Sequence, residues 1–248
     1  MEGTSEAKDC ETRAGIIARF IRAQISLLTF RDAPIARAER GYFLVLAFGV
    51  TWLAGCGRYW DHPNAEWWQV LGLGSVAYVV LLAALLWLVG APLRLRGWSY
   101  SVLLLFVCMT SPPALLYAIP VERFLDLPLA KQVNFWFLAV VATWRVALLL
   151  RFLRVPYRLG LNAFVLGFLP LAAIVTVLTL LNLENATFEI MASGDVPETP
   201  HDLSYLAVLL LSGLSLVALI PLIFAYGVLV YEHRNTRAKD PARSGMDE

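Results

Sequence analysis

Charge is what this sequence has least of. Of its 248 residues only 16% are Asp, Glu, Lys or Arg, while 59% are hydrophobic. Soluble domains carry about 25% charge. No stretch is long and polar enough for a soluble domain, so one membrane domain with short tails is expected. Cysteine is scarce too. Cys10, Cys56 and Cys108 are odd in number and sit in unlike surroundings, which argues against a disulfide framework or a thiolate metal site. The three histidines fall outside the apolar runs, so an intramembrane Ser/His pair has no candidate. G-x-S-x-G, a Walker loop, G-x-G-x-x-G before a strand and a paired-Asp motif are all missing, which weakens an enzyme reading. No Asp or Glu lies deep in an apolar run, which lowers the case for proton-coupled transport. The first 40 residues hold no long apolar core, so no cleavable signal peptide is expected. The basic segments are too sparse to suggest a nucleic-acid partner, and no cofactor is implied.

What the chain does have is long uncharged runs. A bilayer crossing needs about 20 apolar residues, with a range of about 17–25. Six candidates follow from that length: Gly41–Gly57, Trp67–Leu93, Trp98–Val121, Gln132–Leu150, Leu159–Leu183 and Leu203–Tyr231. The fold expected is all-α: a polytopic bundle of six transmembrane helices. Trp67 and Trp68 suit an interfacial anchor at one end of the second run. Pro170 and Pro221 predict kinks in the last two.

Ahead of the first run, residues 1–13 are polar and expected to be mobile. Ala14–Arg31 differs. Ile16, Ile17, Phe20, Ile21, Ile25, Leu27 and Leu28 recur at roughly helical spacing, with Arg19, Arg22 and Ser26 on the other side. This predicts a cationic amphipathic helix on a membrane surface, with Arg13, Arg19, Arg22 and Arg31 facing anionic lipid. An ordinary helix packed under the bundle is the alternative. Arg31, Pro34, Arg37 and Arg40 then form a basic elbow, so residues 1–40 read as a tail and residues 232–248 as a second one.

The charges between runs give the orientation. With the N-terminus in the cytoplasm, 16 of the 20 Lys and Arg residues fall on the inside. Arg58, Arg123 and Lys131 fall outside and Arg145 lies within the membrane. The outside loops are acidic, from Asp61 and Glu66 to the longest, Glu184–Asp202. This alternation matches the positive-inside rule for six spans with both termini cytoplasmic. A bacterial inner membrane is the expected location.

Few polar residues are placed to do chemistry. Arg145 interrupts the fourth run, and an intramembrane charge is expensive. It lies about 9 Å from Arg151 at the helical rise, near enough to snorkel to the inner boundary. The competing role is binding of a substrate or a lipid phosphate. Pro112, Pro113 and Pro120 break the third run, and Glu122–Arg123 follows at once. Thr110 and Ser111 are positioned to satisfy the carbonyls that the prolines free. A structural kink is the first reading, a transporter-like broken-helix site the second. His62 and His201 on the outer side are candidate metal ligands only by residue type, because no H-x-x-H or H-E-x-x-H spacing supports them.

The amphipathic stretch Ile16–Phe30 with Pro34, the first span, the entry Gly97-Trp98-Ser99-Tyr100-Ser101 and the break Ser111-Pro112-Pro113 together resemble the Ypt-interacting-protein (Yip) family in its bacterial form. The resemblance covers roughly residues 14–183. The family commonly has five spans against the six counted here. It implies a non-enzymatic membrane protein that shapes membranes or binds small GTPases in eukaryotes, with a different partner in bacteria. It assigns no site residue. Three functions therefore stand side by side. The first is a membrane-organising protein that binds lipid, a membrane-protein partner or a second copy of itself. The second is a small-solute or ion carrier or channel using the broken span and Arg145. The third is a membrane-embedded lipid enzyme.

Overall fold

The computed structural model describes residues 3–32, 35–60, 65–183 and 203–239. Among these residues the fold is all-helical, with no strand. Eight α-helices follow one another: α1 Gly3–Leu28, α2 Arg40–Gly57, α3 Trp67–Val70, α4 Leu73–Gly90, α5 Tyr100–Met109, α6 Leu127–Arg154, α7 Asn162–Leu180 and α8 Leu203–Lys239. Five helices are long and apolar enough to cross a membrane, or six spans if the bent pair Tyr100–Met109 and Pro112–Ala118 is taken as one.

That pair runs from one end of the bundle to the other. At its start the Trp98 indole donates to Trp87 O at 3.1 Å, at the end of α4. At its far end Ala118 O accepts from Trp60 Nε1 at 2.9 Å, just past the end of α2. Ten α-helical residues rise about 15 Å and seven 3-10 residues about 14 Å. Together they match a hydrocarbon thickness of about 30 Å. The end that carries Trp98, Arg96 and Arg151 is called the basic end below.

The third expected span is thus interrupted where its prolines stand, by a 43° bend. Hydrogen-bond accounting explains how a break survives in the core. Pro112 and Pro113 have no N–H, so the carbonyls four residues back lose their helical donors. Cys108 O accepts instead from Ser111 N at 3.0 Å, with Thr51 Oγ1 3.3 Å away. Met109 O accepts from Gln24 Nε2 of α1 at 3.3 Å, and Val107 O from Thr110 Oγ1 at 2.8 Å. Thr110 and Ser111 are buried. The break is stitched to α1 and α2.

Other boundaries depart from expectation. Helix α1 begins at Gly3, so the polar residues from Gly3 on continue the helix that was expected to start at Ala14. The second run is broken at Gly72 (φ +66°) between α3 and α4. A Cβ there would stand 2.8 Å from Cys56 N and 2.9 Å from Trp52 O, so a close crossing with α2 and a left-handed turn both demand glycine. Helix α6 extends the fourth run at both ends. Helix α8 passes through Pro221 without a break and continues to Lys239.

The core gathers at the basic half of the bundle. Phe43, Leu93, Leu103, Met109, Leu148, Leu153 and Leu166 are fully buried. Phe20 of α1 joins them, edge-on to Phe43 at 5.5 Å. Helix α1 is two-faced. Ile16, Phe20, Ala23 and Leu27 pack on the core, while Ile17, Ile21 and Ile25 are 47%, 48% and 56% exposed on the adjoining stripe. One stripe therefore docks under the bundle, as the alternative expected, and the next is an open apolar surface.

Candidate functional site

Four segments meet at the basic end and enclose a cavity of about 340 Å³. Its mouth carries Arg31, Asp32, Arg40, Arg96 and Arg151, and its floor is Leu105, Phe106, Met109 and Leu148. At about 30 Å³ per water it has room for on the order of ten water-sized groups. Helix α1 supplies one side because it ends there. Its last turn closes with Arg31 N bonded to Ser26 O and Phe30 N to Leu27 O. Phe30 takes the left-handed conformation at φ 58°, where such helix ends normally carry glycine. The turn delivers Arg31 and Asp32 to the cavity mouth.

Phe106, Phe152 and Tyr157 line the cavity as an aromatic run, and Trp98 backs it from outside the lining. Trp98 meets Tyr157 edge-on at 5.0 Å, Tyr157 meets Phe152 at 5.5 Å, and Phe152 stacks on Phe106 at 4.1 Å. Gly90 makes this possible, since a Cβ there would lie 2.2 Å from the Trp98 ring. Burial pushes the Tyr157 phenol above its ordinary value, with Arg40 pulling the other way. Its hydroxyl thus stays protonated at neutral pH and can donate a hydrogen bond.

Among the described residues the lining holds Arg31, Arg40 and Arg151, with Arg96, which has a partner of its own, and one carboxylate, Asp32. Asp32 Oδ1 accepts from Arg151 Nη2 at 2.8 Å. The pair is open to solvent, with Asp32 80% exposed, and such pairs contribute only about 0–1 kcal/mol. Trp144 Nε1 donates to Leu28 O at 3.0 Å and holds the end of α1 against α6. Guanidinium groups bind phosphate through paired donors, and the apolar floor suits the upper part of an acyl chain. The arrangement fits an anionic amphiphile.

The residues singled out in the sequence are dispersed. Arg31 is at the cavity. Arg22 is exposed. Arg19 donates Nε to Glu39 Oε1 at 2.8 Å, and about half of its side chain stays exposed. The Arg13 side chain lies outside the described ones, as does that of Glu122. Arg123 stands over the Trp60 ring at 5.3 Å. Pro112 and Pro113 begin the 3-10 segment, and the carbonyls they free are already taken. His62, His201, Pro34 and the Glu184–Asp202 loop lie outside the described residues. Among the described residues no group of three His, Cys, Asp or Glu is placed to hold a metal.

Arg145 does not snorkel toward the basic end. Its guanidinium lies over the Tyr78 ring at 5.2 Å and within electrostatic reach of Tyr117 on the far side of the break. Side chains lean toward their helix N-terminus, and for α6 that is the opposite end. Among the described residues, no acceptor reaches its buried Nη2.

Arg40, Arg96, Arg151, Asp32 and Tyr157 were not legible as a site. Each is a span-flanking residue with an adequate topological reason to be there, and four separate segments bring them together. One signal was present: Asp32 is the sole carboxylate between Arg31 and Arg37. No family model, curated protein or solved structure matches this chain.

Proposed function

We propose that this is a non-enzymatic integral membrane protein that binds anionic phospholipid at its basic end and organises the membrane, or a membrane-protein partner, through that contact. The observation that carries the reading is the cavity: four arginines at the mouth and an apolar floor. The exposed Ile17–Ile21–Ile25 stripe beside it provides a surface that enters the headgroup region. A bacterial inner membrane with the basic end cytoplasmic, and a Yip-like role, are part of the same proposal. Anionic lipid on the cytoplasmic leaflet attracts such a basic face.

Native mass spectrometry of the protein extracted in mild detergent tests it. Retained anionic phospholipid, lost on Arg31→Gln with Arg96→Gln, is the expected result. Retention unaffected by those changes overturns the cavity as the site. The same measurement reports any stoichiometric protein partner or second copy.

Arg145 favours a second reading, a small-anion carrier, because its Nη2 is buried without an acceptor among the described residues. The cavity wall does not include Arg145, and the stitched break offers no open carbonyls. Anion flux into vesicles that is abolished by Arg145→Met would establish this reading over the first.

A further inference from the structure

We infer that Asp32 is a built-in substitute for the ligand's phosphate, so that the closed cavity and the occupied cavity exclude one another. The inference rests on the lipid-binding reading and adds to it the headgroup chemistry and a means of regulation. Among the described residues Asp32 is the one carboxylate that lines the cavity, beside Arg31, Arg40 and Arg151. It holds Arg151 through one hydrogen bond of 2.8 Å. A carboxylate and a phosphate present the same kind of acceptor to a guanidinium, but the phosphate offers more oxygens and more charge. A phosphomonoester carries about −1.5 to −2 charges at neutral pH, against one for Asp32.

The substitute is loosely held. Asp32 is largely exposed, and it follows Phe30, a bulky residue in the left-handed conformation that such side chains resist. A phosphate entering beside Arg31 and Arg40 takes over Arg151. Asp32, with a like charge, is then expelled. Because Asp32 follows directly on the last turn of α1, its release loosens the end of the helix whose isoleucine stripe is exposed. Occupancy of the cavity is thereby coupled to how α1 sits. The apolar floor of Leu105, Phe106, Met109 and Leu148 gives a chain somewhere to go and favours a phosphate-bearing lipid over the free ion. The small, doubly charged headgroup of phosphatidate fits best. A phosphatidylcholine head has no net charge and is larger.

The test uses the full chain in non-ionic detergent, titrated with dioctanoyl phosphatidate, dioctanoyl phosphatidylcholine and inorganic phosphate. The variants are Asp32→Asn, Arg151→Gln, the two combined, and Glu39→Gln. Glu39 is engaged by Arg19 and does not line the cavity, so it controls for overall charge. Asp32→Asn is expected to bind phosphatidate about two- to fivefold tighter, as loss of an exposed competing pair implies. Arg151→Gln is expected to bind about tenfold weaker, and adding Asp32→Asn to it to give no further gain. Glu39→Gln should leave affinity unchanged, and phosphatidylcholine and phosphate should bind weakly. If Asp32→Asn gives no gain while phosphatidate binding still depends on the arginines, the substitution idea fails and the lipid reading stands. An equal gain from Glu39→Gln, or from Asp32→Asn in the Arg151→Gln background, also overturns it. Inorganic phosphate binding as tightly as phosphatidate overturns the lipid source. No phosphatidate binding by folded protein sinks both readings.

Discussion

Arg145 and Arg151 stand on the same helix, about 9 Å apart along its axis. Arg151 holds a carboxylate at the mouth of a cavity that opens to solvent. Arg145 lies over an aromatic ring with a donor buried. The broken α5 stands between them: Met109 faces the cavity, and Cys108, one residue back, is within electrostatic reach of Arg145. Two identical side chains thus meet different solvents. One meets solvent and an exposed carboxylate, and the other the face of a ring. Position along a span is a poor guide to which applies, because tertiary packing sets the local dielectric.

The largest expected effect separates them by binding. Arg151→Gln removes a charged contact worth about 1.5–3 kcal/mol, so titration with phosphatidate should give at least a tenfold loss, with the thermal midpoint nearly unmoved. If Arg145→Met weakens phosphatidate equally, the two arginines serve one site and the contrast collapses. Next, Tyr78→Ala strips Arg145 of its ring, a loss of about 2 kcal/mol for a desolvated cation–π pair. Thermal unfolding in detergent should show that fall, while Tyr78→Phe keeps most of the stability. Gln24→Leu then probes the wall between them. It leaves Met109 O without the amide donor of α1, at a cost of about 1–3 kcal/mol, seen as faster hydrogen exchange around residues 109–111. Smallest is Arg145→Met itself. Replacing a buried charge by an apolar group of similar volume is often neutral or stabilising, so the midpoint should stay or rise. A marked fall would show that the guanidinium makes contacts beyond Tyr78. Raising salt from low to about 1 M shortens the Debye length to about 3 Å. It should weaken phosphatidate binding at Arg151 and leave the Tyr78 effects untouched.

Much of the bundle could be read from composition alone, because span length and proline chemistry act locally. The Pro112–Pro113 interruption is legible for that reason, and so are Thr110 and Ser111 as local donors. Gln24 and Thr51 are not, since their partners lie 85 and 57 residues away. Gly72 reads as a small packing residue, and its left-handed turn emerges only from the close approach of α2. Arg19 reads as a surface arginine, and only the fold brings Glu39 beside it. The cavity is the extreme case. Its arginines have a sufficient explanation as span-flanking charges, and only the folded chain shows them converging. The direction of Arg145 was legible in part, because side chains lean toward the helix N-terminus, but its ring partner Tyr78 on α4 was not.

Helix α8 holds one more consequence. Tyr226 Oη donates to Val89 O at 2.7 Å, which pins the helix near the end of α4, yet the helix continues to Lys239. Counted from Tyr231, where the expected span ends, eight further residues rise about 12 Å. A headgroup layer on one side is about 5–8 Å deep, so the end of α8 stands proud of it by about one helical turn. That end acts as a low standoff on the side that carries the arginines.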